Sequence, residues 1–179
     1  MSGGRETTTS RLFLVCPSGF METPVRKTFG ENSYFYTAMG VFFEWDEATQ
    51  HSLTGFLQRR NISEIHFVGN IDNPWYAGFL HESIIPLRLP WERQIARGYT
   101  DLKTEIEGQP GAKMKTQLLL AEHLARQILR LRESPILGSH IDKEGIRISA
   151  SVYDPSDDSF LGAAEVRRRA MVLQGICLN

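Results

Sequence analysis

The chain has 179 residues, 41% of them hydrophobic and 23% charged, with a net charge of -1. Those values suit one domain with a single core, and they exclude a general electrostatic attraction to nucleic acid or an anionic membrane. No apolar run reaches the ~20 residues of a membrane helix, and the two cysteines, Cys16 and Cys177, supply neither a disulfide framework nor a four-thiolate zinc site.

Met1 to Ser10 is polar, lacks an apolar signal core and is expected to be a disordered tail, so residues 11–179 are read as one cytoplasmic domain. Arg11 to Cys16 is an apolar run closed by Pro17-Ser18-Gly19, the pattern of a buried parallel strand with a loop at its carboxyl end. Ser33 to Thr37 is aromatic-rich and predicts a second strand, followed by loop or extended chain from Met39 to Phe43. Asp46 is placed to cap a helix whose apolar face carries Leu53, Phe56 and Leu57, opposite Gln50, Gln58 and Arg59. Asn61 suits the left-handed end of that helix. Ile65 to Val68 is the third strand, and the order strand, helix, strand implies a right-handed crossover and a parallel sheet.

Gly69 ends that strand abruptly, and the polar turn Asn70 to Asn73 follows. In an open α/β sheet the carboxyl end of a strand is where ligands sit. Pro74 suits the first turn of a helix running to His81, and Ile84 to Pro90 is expected to be extended. Gly98 to Lys115, with Gly108-Gln-Pro-Gly111, predicts a mobile loop with room for one helical turn from Thr100 to Ile106. Thr116 to Arg132 repeats apolar residues at helical spacing, with Glu122, Arg126 and Arg130 on the wet side and a favourable Glu122–Arg126 pair. Gly145 to Tyr153 alternates as a fourth strand, Asp154 to Asp158 is a turn, and Glu165 to Leu173 is a terminal helix.

Gln127 to Ile136, Gly145 to Ser149 and Val152-Tyr-Asp154 give the order helix, Ser-Pro, Gly-led strand and Tyr-Asp turn. With a first strand ending in Cys16 and a strand ending Val68-Gly69, this ordered set resembles the β-class carbonic anhydrases from Leu12 to Asp154. The resemblance implies a three-layer α/β/α domain with a mostly parallel sheet of about four strands. It also implies homodimers, which an aromatic edge strand favours; with about ten residues ahead of the first strand, the family's long N-terminal helical arm is expected to be reduced.

That family holds zinc with Cys, His and Cys beside an Asp-Arg pair, and the bound water supplies hydroxide for attack on carbon dioxide. The first motif, Cys-x-Asp-Ser-Arg, falls on Cys16-Pro17-Ser18-Gly19-Phe20. The Cys is kept, while Ser18 and Phe20 replace the acid and the arginine; Glu22 is near enough in sequence to stand in for the acid. The second motif, His-x-x-Cys, falls on Asn70-Ile71-Asp72-Asn73, so both ligand positions carry amides. A carboxamide is a poor zinc donor, and one thiolate does not hold the ion.

The expectation is therefore a carbonic-anhydrase-like protein without zinc or another cofactor. It would bind a small molecule or anion, or act as a regulatory relative, in a pocket formed by Cys16, Ser18, Asn70, Asp72, Asn73 and His81. The alternative is a lyase or hydrolase with a rearranged metal set, such as Cys16, Asp72 and His81, or with Cys16 as nucleophile and His81 or His66 as base. Against these stand plainer readings. Cys16 suits a small buried side chain, the Asx residues suit turn and cap chemistry, and His66 suits a packed strand. Trp75, Tyr76, Phe35 and Tyr36 suit core or dimer contacts, and Arg167 to Arg169 a solvated helix face. His51, His123 and His140 carry no partner pattern.

Overall fold

Leu12 to Val15 are almost inaccessible to solvent, the condition of a strand covered on both faces. They lie in β1 (Ser10–Val15), which pairs in parallel with β2 (Ser33–Thr37) on one side and β3 (Ile62–Asn70) on the other. The computed structural model describes residues 9–80 and 88–173. Within them β3 pairs in parallel with β4 (Arg147–Asp154), and β5 (Ser159–Gly162) runs antiparallel to β4, giving the order β2-β1-β3-β4-β5. The sheet is thus mostly parallel with five strands rather than about four. The extra strand is a short hairpin arm beyond the Asp154–Asp158 turn, where Asp158 takes a left-handed φ of 48°. Four residues are too few for an alternating pattern to register.

The helices are α1 (Glu22–Phe29), α2 (Glu47–Arg59), α3 (Pro74–Leu80), α4 (Pro90–Asp101), α5 (Lys103–Glu107), α6 (Gly111–Arg132), α7 (Leu137–Glu144) and α8 (Ala163–Leu173). Alternation along the strands divides the core. Leu12, Leu14, Ile65, Phe67 and Val152 face the larger helical layer, in which α6 packs against β3, β4, α3, α4 and α8. Phe13, Val15, Val68 and Tyr153 face the other way, against Met21 and Val25 beside and within α1. This is the expected three-layer arrangement, with a thin outer layer.

The local signals hold where one side chain decides. Asp46 Oδ1 accepts the Thr49 N–H at 2.8 Å, capping α2, and Asn61 leaves the helix at φ 50°. Four readings need correction. Ser10 belongs to β1 rather than to a tail. Gly98 to Lys115 is not a loop but the end of α4, all of α5 and the start of α6; Gly98 lies buried inside α4, where a Cβ would meet the Arg126 and Glu122 side chains at 3.9 and 4.0 Å. Gln50 and Glu122, placed on wet faces, are both buried. Pro90 opens α4 instead of closing an extended segment, and Glu92 Oε2 accepts the N–H groups of Arg88 and Leu89 at 2.8 Å each. The rest of the Ile84–Pro90 reading, His81 and Cys177 lie outside the described residues.

Candidate functional site

Strand order fixes the location. β2 lies on one side of β1 and β3 on the other, so the connections diverge at the carboxyl ends of β1 and β3, where open α/β sheets form a crevice. Two turns meet there. After β1, Cys16 is extended (φ -84°, ψ 131°) and leads into a 3-10 turn at Pro17–Gly19. After β3, Asn70 Oδ1 accepts the Asp72 N–H at 2.9 Å in an Asx turn, and Asn73 Oδ1 accepts the Trp75 N–H at 3.2 Å at the start of α3.

The other halves of the two amides tie the turns together. Asn70 Nδ2 donates to the Gly19 carbonyl at 3.3 Å, and Asn73 Nδ2 donates to Ser18 Oγ at 3.2 Å. Ser18 Oγ also lies 2.9 Å from Cys16 Sγ, a hydrogen bond in which either the hydroxyl or the thiol can donate. Gly40 N–H donates to the same sulfur at 3.3 Å, and the Tyr76 hydroxyl donates to the Gly40 carbonyl at 3.0 Å. Cys16, Asn73 and Tyr76 are all buried. Burial pushes the Tyr76 phenol well above its ordinary value, and the Cys16 sulfur adds to the shift.

Gly40 must be glycine. Its φ is +62°, and a Cβ there would stand 2.9 Å from the Trp91 ring. Val41 follows at φ 54°, an uncommon conformation for a β-branched side chain, and stays fully buried. Over this bend lies His123 of α6, 1% exposed, with its ring 5.9 Å from that of Tyr76. The ring faces the Gly40 and Val41 backbone, yet neither nitrogen makes a hydrogen bond of good geometry among the described residues. Burial lowers its pKa to about 4, against the raising effect of those backbone groups.

Of the predicted pocket residues, Cys16, Ser18, Asn70 and Asn73 therefore meet in one hydrogen-bonded cluster. Asp72 is exposed beside it, and His81 lies outside the described residues. Glu22 is exposed in the first turn of α1. His66 does not reach Cys16. It sits on the opposite face of the sheet, stacked on Phe13, with Nε2 2.9 Å from Ser151 Oγ and Nδ1 3.1 Å from Ser149 Oγ. Burial lowers its pKa to about 4 despite Glu64 nearby. It is a packed histidine and not a base for the thiol. Sequence reasoning missed Tyr76, Gly40 and His123; helical spacing sets His123 beside Arg126 and Arg130, on the side of α6 read as wet, so no signal in the sequence marked it.

Among the described residues the donor set does not fit zinc. There Cys16 is the single thiol, the Asn70 and Asn73 amides are committed to the turns, and no group of three His, Cys, Asp or Glu side chains could hold a metal ion.

These features define an open α/β protein with a thiol-centred clasp at its switch point. No protein-family model and no curated protein sequence matches the chain. Solved structures do. The wild-type β-carbonic anhydrase CafD of the fungus Aspergillus fumigatus superposes with a TM-score of 0.71 at 17% identity, over 90% of this chain and 93% of that one. A structure from work on two tetrameric β-carbonic anhydrases of Sordaria macrospora gives 0.72 at 12% identity, over 87% and 80%. A Coccomyxa β-carbonic anhydrase in complex with acetazolamide gives 0.66 at 12%, over 95% and 85%. The fold is that of the β-carbonic anhydrases.

Proposed function

We propose that this chain is a carbonic-anhydrase-like protein that works without zinc, as a small-molecule-binding or regulatory protein rather than a carbon dioxide hydratase. The carrying observation is the clasp. Asn70 and Asn73 bridge the two turns by hydrogen bonds to Gly19 and Ser18, where zinc ligands would bridge them by coordination. Structural zinc affinity comes from several deprotonated ligands acting together, on the order of 10 kcal/mol, and one thiolate does not supply it. Assembly as a homodimer in the cytoplasm completes the reading; the aromatic β2, an edge strand among the described residues, supports the dimer.

Elemental analysis of the purified full chain, with a carbon dioxide hydration assay, tests the reading: less than a tenth of an equivalent of zinc and no rate above background are expected. The double substitution Asn70→His with Asn73→Cys restores three donors around Cys16 and is expected to take up about one zinc. Stoichiometric zinc in the unsubstituted chain would overturn the proposal.

A second reading keeps Cys16 as a nucleophile. It is favoured by the Gly40 N–H that donates to its sulfur and by the Ser18 hydroxyl 2.9 Å away, which can donate to a thiolate. Rapid labelling of Cys16 itself in the native chain near neutral pH, located by peptide mapping, would favour it; labelling of Cys16 that requires unfolding would end it.

A further inference from the structure

The clasp closes the gap between Cys16 and Asn73, and the open space lies one strand further along. A cleft of about 450 Å³ sits at the carboxyl ends of β3 and β4, and Asp72, Lys113, Thr116, Asp154 and Ser156 supply its polar groups. Its size falls within the range of small-molecule sites. We propose that this cleft binds a small neutral polyhydroxylated molecule, a sugar or cyclic polyol, through Asp72 and Thr116 near the amino end of α6. This rests on the reading of the chain as a small-molecule binder and names the class of molecule.

Charge selects the class. An anion is drawn to the amino end of α6, a 22-residue helix whose cap residue, Pro110, offers no side-chain bond. The same anion would face the unpaired carboxylate of Asp72. A cation is drawn to Asp72 but would face the positive helix end. A hydroxyl both donates and accepts, so it satisfies each without a net charge.

The free valences agree. The Asp72 carboxylate has no partner among the described residues; only its backbone N–H is engaged, with Asn70. The buried Asp154 is already satisfied by Lys113 and by the Ser156 N–H and hydroxyl, at 3.0 and 2.6 Å. Lys113 is shared between Asp154, Asp157 and Ser156 and so neutralises the wall rather than reaching for a ligand. Thr116 Oγ1 donates to the Ala112 carbonyl at 3.0 Å, which leaves its lone pairs for a ligand hydroxyl. The apolar part of the lining is small, from Ile71, Ala77 and Ala112.

The test is calorimetric titration and thermal denaturation of the full chain with glucose and myo-inositol, beside inorganic phosphate and n-butylammonium. A polyol is expected to raise Tm by several degrees at about a hundredfold excess over its Kd. Asp72→Ala, at an exposed position whose turn bond runs through the backbone, is expected to keep the unliganded Tm and weaken binding at least tenfold. Three results overturn the proposal: no heat with either polyol at ~100 mM, binding unaffected by Asp72→Ala, or Asp72-dependent binding of phosphate or butylammonium in place of polyols. Zinc in the purified chain would overturn the zinc-free reading and leave this titration intact.

Discussion

Gln50 Oε1 accepts the backbone N–H of Ile136 at 2.9 Å, and Leu137 N–H lies 3.3 Å from the same oxygen. Its amide nitrogen donates to the Trp45 carbonyl at 2.7 Å. One buried side chain of α2 thus stands in for the missing side-chain cap of α7. Gln50→Ala leaves those groups unpaired in the interior and is expected to cost ~2 kcal/mol. In a chain of this size that is ~4–8 °C in Tm. An unchanged Tm would mean the α7 amino end does not depend on it.

Asn73→Ala removes both the bond to Ser18 and the cap on Trp75 N–H. The expected loss is ~1–2 kcal/mol. Cys16 is expected to react with a thiol reagent several times faster, because the turn that covers it is released. Equal labelling rates in the two proteins would detach Asn73 from the clasp.

His66 and His123 are both held near pKa 4 by burial, below the 6.5 of a free histidine. With the folded pKa depressed, the unfolded chain binds protons first as pH falls. The neutral-ring stability is intact above about pH 6.5 and is lost progressively down to about pH 4, by about 3 kcal/mol for each ring. His123→Leu is expected to flatten roughly half of the fall in Tm between pH 6.5 and 4.5. A slope identical to that of the unsubstituted chain would assign the proton uptake elsewhere.

Lys113→Met leaves the Asp154 carboxylate, 2% exposed, without its cation. Burial alone raises that carboxyl's pKa; Lys113 and Ser156 at present outweigh burial and hold it low. The substitution is expected to cost about 2 kcal/mol at pH 7. The cost should shrink as pH falls below about 5, because the carboxyl then takes up a proton. A cost that is independent of pH would show that packing of the Lys113 stem, not its charge, was lost.

Much of the fold is legible in single residues and short periods. Asp46 caps α2 and Asn61 ends it because each acts within three or four positions. β1 and β3 announce themselves as apolar runs because both of their faces are covered. α1 and α7 escaped notice because eight residues give barely two turns of pattern, and Pro24 and the flanking glycines read as breakers. α4 was hidden, and α5 showed only as room for one turn, because Gly98 and Pro110 look like loop residues, yet Gly98 lies where α6 comes close and Pro110 precedes the α6 amino end.

The sequence alone determined the parallel core, the order of strands β1 to β4 and the amide-rich turn after β3, because these depend on local pattern and residue chemistry. Only the tertiary structure decided that those amides join Gly19 and Ser18, that Tyr76 and His123 gather at Gly40, and that the open cleft lies between β3 and β4. Those relations link residues 50 or more positions apart in most cases, and the crossing of strands in the sheet, not spacing along the chain, sets their distances.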